Sequence, residues 1–423
     1  MSLLKKKDPY QVYIMTNFLS QLFFTFIFTV NLLYQVQIVK LDPFQLVFIG
    51  FALELSVFLF EIPTGVVADM KSRKLSIIIG YFLIGIGFLL EGLFPYFIAV
   101  FLSQIIWGIG YTFTSGAMQA WIADEIGEEQ ASLAFVKGAK ASNFGKVIAI
   151  PLSILIGYSM VNLPVIIGGA CMIGLAIFLI RFMQEENFRP LKNEERLTLW
   201  NSVKGNMSQI LSFSKTSFLI RILFLIALFF GLYSEGFDRL WVSHLLKESN
   251  LSNGNDGKLV IIMGCIQFVV VLTTFIALNY LSRSKVHKHL NHIYAALFIG
   301  SILIIGSLFG FAFSTSMIAL IVFYIVIQVS RSVMYPLEDI WLNKIIPDSS
   351  TRATFFSVKG QVDAIGQISG GPIIGAVASN FSIKAAIIVS AFILTPVVFL
   401  YNLLLKKSKV KEDHKSSVLE ENI

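Results

Sequence analysis

The chain has 423 residues, 56% of them hydrophobic, with 39 Phe and only 14% charged side chains. A soluble protein of this length needs far more polar surface, so the bulk of the chain is expected to face the lipid bilayer as an all-α integral membrane protein. The formal net charge of +7 does not point to nucleic acid. Its basic residues stand in short loops between apolar segments, which is a membrane-topology pattern.

A bilayer core takes about 20 apolar residues per helix. By that measure the chain holds twelve transmembrane helices, at 12–37, 44–67, 75–92, 95–119, 141–161 and 163–183, then at 218–243, 258–281, 290–313, 315–338, 357–378 and 382–405. Lys5, Lys6 and Lys7 precede the first run, which is long enough to span and has no small-residue cleavage site after it, so no cleaved signal is expected. Cys171 and Cys265 are isolated within apolar runs, so no metal, cofactor or disulfide framework is expected either.

Lys and Arg collect in alternate loops: Lys71, Arg73 and Lys74; Lys137 and Lys140; the Arg181–Arg221 segment; Arg283, Lys285 and Lys288; Lys344, Arg352 and Lys359; and the tail from Lys406. The other loops hold only Lys40, Lys247, Lys258 and Lys384. Positive charge stays on the cytoplasmic side. The expected arrangement is therefore a multi-pass protein of the plasma membrane with both termini cytoplasmic. Its parts are a six-helix half at 1–183, a cytoplasmic linker at 184–217, a second half at 218–405 and a tail at 406–423.

Polar residues within the spans are the candidates for function, because each is costly in hydrocarbon. On the first helix Asn17 and Gln21 are candidate cavity residues, as is Tyr111 on the fourth. The second helix carries Glu54 near its middle and Glu61 two turns further on, on one face. A carboxylate at that depth lines a cavity, meets a cation or takes up a proton, since desolvation favours the neutral form. Glu61 has a second reading, as a partner for the basic turn that follows. Glu91 closes the third helix, where either solvation by outer-side water or a functional role fits. Glu235 and Arg239 are at i, i+4, the favourable order for an ion pair; an outer gate or a plain interfacial pair would look the same. Arg331, in the inner third of the tenth helix, either snorkels to the interface or lines the cavity.

The two halves are similar to each other. "GAMQAWIADEIGEEQASLAFVKGAKASNFGKVIAIP" aligns with "YPLEDIWLNKIIPDSSTRATFFSVKGQVDAIGQISGGP", matching Trp121 to Trp341, Phe135 to Phe355, Lys137–Gly138 to Lys359–Gly360 and Pro151 to Pro372. Such a repeat implies two parallel six-helix halves related by an axis along the membrane normal, the build of a secondary transporter.

The turn "PTGVVADMKSRK" between the second and third helices carries Pro63, Gly65, Asp69, Arg73 and Lys74. With the repeat and the span count, it resembles the signature of the major facilitator superfamily. Its acidic variant is similar to that of Gram-positive drug:proton antiporters, tetracycline exporters among them. The resemblance implies that Asp69 meets the start of the eleventh helix, near Ser357–Asp363, and that the basic residues meet Asp124 or Glu125, closing the cytoplasmic side. There are two departures. Gln104 stands where the superfamily's fourth helix has an Arg, and the glycine-rich motif expected in the fifth helix is clearer in the eleventh, as "GQISGGPIIG".

No HExxH, GxSxG or P-loop motif is present, so neither an enzyme nor an ATP-driven pump is expected. The leading expectation is export of amphipathic drugs, tetracycline among them, coupled to the proton gradient. The alternative is transport of a small metabolite on the same scaffold. An importer of polar solutes is expected to carry fixed midplane charges, and outside the second helix few stand out.

Overall fold

A bilayer core offers no water to bond a bare N–H or C=O, so a spanning chain has to satisfy its backbone internally. The computed structural model, which describes residues 8–190, 217–251, 255–346 and 349–420, meets that demand with helices, and contains no strand among the described residues. In chain order these are α1 Pro9–Phe28, α2 Asn31–Gln37, α3 Pro43–Met70, α4 Arg73–Leu93, α5 Phe97–Thr114, α6 Ala117–Ile126, α7 Glu128–Gly157 and α8 Leu163–Phe182. They continue as α9 Phe218–Glu248, α10 Asp256–Arg283, α11 Leu290–Phe313, α12 Met317–Ile345, α13 Ser349–Asn380 and α14 Ile383–Glu420. Helix starts are specified locally. Asp42 and Gln45 form a capping box ahead of α3, with Pro43 in the first turn, and Ser72 caps α4 by accepting from the Leu75 amide.

Eleven helical segments among the described residues are long and apolar enough to cross a membrane, counting α1 with α2 and α5 with α6 as one each. The twelfth, α13, has 32 residues but is interrupted by Lys359, Gln361, Asp363 and Gln367.

Several predicted boundaries need correction. The segment bearing Lys137 and Lys140, read as a loop, is helix, because α7 starts at Glu128. Helical hydrogen bonding does not stop where the apolar run does. The predicted first span, 12–37, is broken after Phe28, and the predicted fourth, 95–119, is broken at Ser115–Gly116. At the second break Gly116 has φ +68°, a conformation that an L side chain adopts only at a cost of about 1–2 kcal/mol. Most of the expected linker, residues 191–216, lies outside the described residues.

The chain separates into two compact units, Met1–Trp200 with Ser252–Phe268, and Asn201–Leu251 with Val269–Ile423. In the first, α1 packs on α7, and α4 packs on both α5 and α8. In the second, α9 packs on α13, and α11 packs on both α12 and α14. The same spans are thus paired in each unit: first with fifth, and third with fourth and sixth. The repeated tryptophans take equivalent roles, with Trp121 and Trp341 both among the largest fully buried side chains. The match is inexact elsewhere, since Phe355 is buried and Phe135 is exposed.

Small residues set how near helices approach. On α13, a Cβ at Gly366 would lie 2.5 Å from the Leu228 carbonyl oxygen of α9, so the two backbones touch there. Gly366→Ala is expected to destabilise the protein by roughly 1–3 kcal/mol through overpacking. Gly174→Ala, with nothing within 4 Å of the added carbon, is expected to be neutral or to stabilise by up to about 1 kcal/mol. Thermal unfolding of the two purified proteins in one detergent checks the opposite signs.

Candidate functional site

The basic turn between α3 and α4 is held by a compact set of contacts. Arg73 bonds Asp124 at the end of α6 and lies 3.8 Å from Asp69. Ser72, in place of the family's glycine, uses its hydroxyl twice: it accepts from the Leu75 amide and donates to Glu185. Glu185 also accepts from the Lys74 backbone amide at 2.9 Å, so a carboxylate sits at the positive end of α4. Glu125 accepts from the amides of Glu186 and Asn187, and Trp121 donates to the Gln184 carbonyl oxygen. The stretch after α8 is thereby tied to the ends of both α4 and α6. Gly65 serves no close approach here, for a Cβ added to it meets nothing within 4 Å.

Deeper on α3, Glu61 accepts from Ser115 at 2.9 Å, at the break between α5 and α6. That break, made by Gly116, gives Ser115 its position. Glu54 is half-buried and Glu61 exposed, and Tyr111 of α5 lies within electrostatic reach of both. Glu54, Glu61, Tyr111 and Ser115 thus make one polar strip along α3 and α5. Asn17 and Gln21 are bonded within α1, to the Tyr13 carbonyl oxygen and the Thr25 hydroxyl.

Glu91 corrects the expectation of outer-side solvation, for it is fully buried. Its carboxylate accepts from Gln35 of α2 at 2.7 Å, and from Ser103 and Gln104 of α5 at 2.9 and 3.2 Å. Tyr34 donates to the Glu91 carbonyl oxygen at 2.7 Å. Gln104, where an Arg was expected, is therefore a neutral donor to an acid of the third span. Glu91→Ala would leave three buried donors without their acceptor, at about 1–3 kcal/mol each before relaxation. The expected result is a clear loss of thermal stability, larger than that of Glu91→Gln, in purified protein.

The second unit holds a charged network that sequence reasoning largely missed. Glu235 pairs with Arg239 at 2.8 Å, as the i, i+4 spacing allows. Arg331 does not snorkel: its guanidinium clasps Asp238 of α9 through two bonds, at 2.6 and 2.9 Å. One helical turn or more from it, Lys359 of α13 bridges Glu338 and Asp339 of α12 at 2.9 and 3.3 Å. Tyr401 of α14 donates to Glu338 at 2.7 Å. Asp363 accepts from Gln367 at 2.8 Å. Sequence carried one signal for this, the polar interruption of the eleventh span, but nothing in it paired residues so far apart.

Bidentate pairing of this kind orients a guanidinium and neutralises it in place. Among the described residues no group of three or more His, Cys, Asp or Glu could hold a metal ion. What both units offer is exchangeable protons, ion pairs and hydrogen bonds, held on helices.

The profile of the Major Facilitator Superfamily matches residues 13–306. A Bacillus subtilis (strain 168) protein named "Uncharacterized MFS-type transporter YxaM" is 25% identical over 368 residues, which cover 84% of this chain and 86% of that one. The fold is similar to the crystal structure of the nucleoside transporter NupG, with a TM-score of 0.71 at 17% identity over 95% of this chain and 100% of that one. It is also similar to an inward-facing, unoccupied bacterial homolog of the human lysosomal transporter Spinster, with a TM-score of 0.73 at 15% identity over 95% and 98% of the two chains. At such identities these structures speak for the fold alone. With a family profile covering most of the chain and the same spans paired in each unit, the protein belongs to the major facilitator superfamily, and is a multi-pass membrane transporter of small-molecule substrates.

Proposed function

We propose that the transporter exports amphipathic drugs, tetracycline among them, from the cytoplasm across the plasma membrane in exchange for protons. The observation that carries this reading is the strip of Glu54, Glu61, Tyr111 and Ser115, two carboxylates on one helix face with a phenol and a hydroxyl beside them. Carboxylates at membrane depth are retained where they exchange protons or meet cations. A proton entering down a potential of about 100 mV releases about 2.3 kcal/mol. That drives an accumulation ratio of roughly 50-fold per proton exchanged, at about 1.4 kcal/mol per tenfold. In parallel-repeat transporters the site lies near the midplane and is exposed alternately to each side. A drug there displaces water from apolar walls and satisfies its few polar groups on side chains such as Gln21, Glu54 and Tyr111. The contacts of Asp69, Arg73 and Asp124 serve as the cytoplasmic gate in this reading.

A second reading is transport of a small polar metabolite. It is favoured by the fixed charges of the second unit, above all the Asp238–Arg331 pair, which suit a polar solute better than a greasy one. Structural neighbours include a nucleoside transporter and a peptide-binding POT family transporter. Drug accumulation in a sensitive host, measured before and after the proton gradient is collapsed, separates the two readings. Export that stops on collapse supports the first, and no effect of the protein on any drug supports the second.

Glu54→Gln is expected to abolish gradient-driven export while leaving membrane insertion intact, and Glu54→Asp to retain part of the activity. Full transport by Glu54→Gln removes Glu54 from the coupling role. Gln21→Ala and Tyr111→Phe are expected to shift drug preference, whereas removing the tail after Lys411 is not. Asp69→Asn and Arg73→Ala are expected to raise the labelling of a cysteine placed in the cytoplasmic cavity, because each weakens the closed gate. Unchanged labelling with altered substrate preference contradicts that assignment.

A further inference from the structure

Around Asp363, among the described half-buried and buried side chains of α9, α12 and α13, four are carboxylates, Glu235, Asp238, Glu338 and Asp363, and three are cations, Arg239, Arg331 and Lys359. Each cation is already engaged by another acid. Arg331 makes both of its short bonds to Asp238, and Lys359 bridges Glu338 and the more exposed Asp339. Asp363 is the surplus acid. The side-chain hydrogen bond to its carboxylate among the described residues comes from a neutral amide, that of Gln367 on Oδ2. A negative charge so placed is disfavoured to the extent that it is desolvated and not compensated.

A second observation marks the same spot. The Tyr233 hydroxyl is fully buried and has no hydrogen-bond partner among the described residues. It lies within electrostatic reach of Arg331, Tyr335, Asp238 and Asp363. The backbone brings these groups together: a Cβ at Gly231 of α9 would collide with the Asp363 carbonyl oxygen, so the glycine lets α13 press Asp363 against the helix that carries Tyr233 and Asp238.

We propose that Asp363 is a proton-binding group of the second unit, and that its ionised form competes with Asp238 for the Arg331 guanidinium. A proton arriving from water bonds to Oδ1, the oxygen that Gln367 does not hold, and cancels the surplus charge; Arg331 then stays on Asp238. When the proton leaves to water, two carboxylates face one guanidinium, and Arg331 is drawn toward Asp363. The facing charged and titratable groups are Tyr233 and Asp238 on α9, with the Glu235–Arg239 pair on the same helix. Those on α12 are Arg331, Tyr335 and Glu338, that on α14 is Tyr401 through Glu338, and that on α13 itself is Lys359. The inference goes beyond the export reading, because it does not depend on which solute is carried or on Glu54.

Infrared difference spectroscopy of the full chain in phosphatidylethanolamine–phosphatidylglycerol vesicles tests it without a substrate. Passing from alkaline to acidic buffer is expected to raise a carboxylic C=O stretching band that is lost in Asp363→Asn, moved in frequency in Asp363→Glu, and kept in Glu54→Gln. With isotope-labelled arginine, a guanidinium band is expected to move with the same midpoint in the natural protein and to stay still in Asp363→Asn. If the Asn protein does not fold, the frequency shift in Asp363→Glu decides alone. A C=O band indifferent to both Asp363 substitutions overturns the proposal. So does a carboxylate that responds to added sodium at constant pH instead of to acid.

Discussion

A bilayer core supplies no hydrogen bonds, so every polar group that enters it has to be answered by the protein. The helices answer for the backbone. For side chains the two units use different means. In the first, the fully buried Glu91 collects neutral donors, Gln35, Ser103 and Gln104, from two other helices. In the second, acids collect cations: Asp238 holds Arg331, and Glu338 holds Lys359. Buried ion pairs add little net stability, since desolvation cancels most of the Coulomb gain.

Those pairings require helices to lie closer than ordinary side chains permit. In the first unit Gly80 of α4 and Gly110 of α5 face each other's backbones, with a Cβ at either falling 2.7 Å from the other's carbonyl oxygen. Contact at that range seats α5 so that Ser103 and Gln104 reach across to Glu91. In the second unit Gly366 and Gly231 do the same for α13 and α9, and so for Asp363 and Tyr233. Close packing of small residues and placement of polar groups are thus one structural decision. The glycine-rich stretch of the eleventh span acquires a purpose here, as the surface on which α9 rests.

The turn between α3 and α4 obeys a different balance, because it lies where side chains reach water. The Arg73 and Asp124 side chains are partly exposed, at 19% and 31%. Ion pairs of that kind contribute about 0–1 kcal/mol each. Contacts of that strength are readily broken and remade. Ser72 fits the same logic. In place of a glycine it caps α4 and ties Glu185 to the turn, adding hydrogen bonds at a water-facing helix end, where they are readily exchanged.

Composition and runs of about 20 apolar residues are local properties, and they were enough to establish the membrane setting, the number of spans and the internal repeat. The Glu235–Arg239 pair, four residues apart, was legible too. The start of α7 at Glu128 was not, since a helix outside the bilayer needs no apolar run. Neither was the burial of Glu91, nor the engagement of Arg331. Asp238 and Arg331 are 93 residues apart, Glu338 and Tyr401 are 63, and Gln35 and Glu91 are 56. Periodicity places a residue on a face of its own helix, but which helix that face meets depends on backbone contacts summed over a whole unit. The sequence by itself determined that acids and bases would be found within the membrane; tertiary packing decided which of them meet and left Asp363 as the surplus acid.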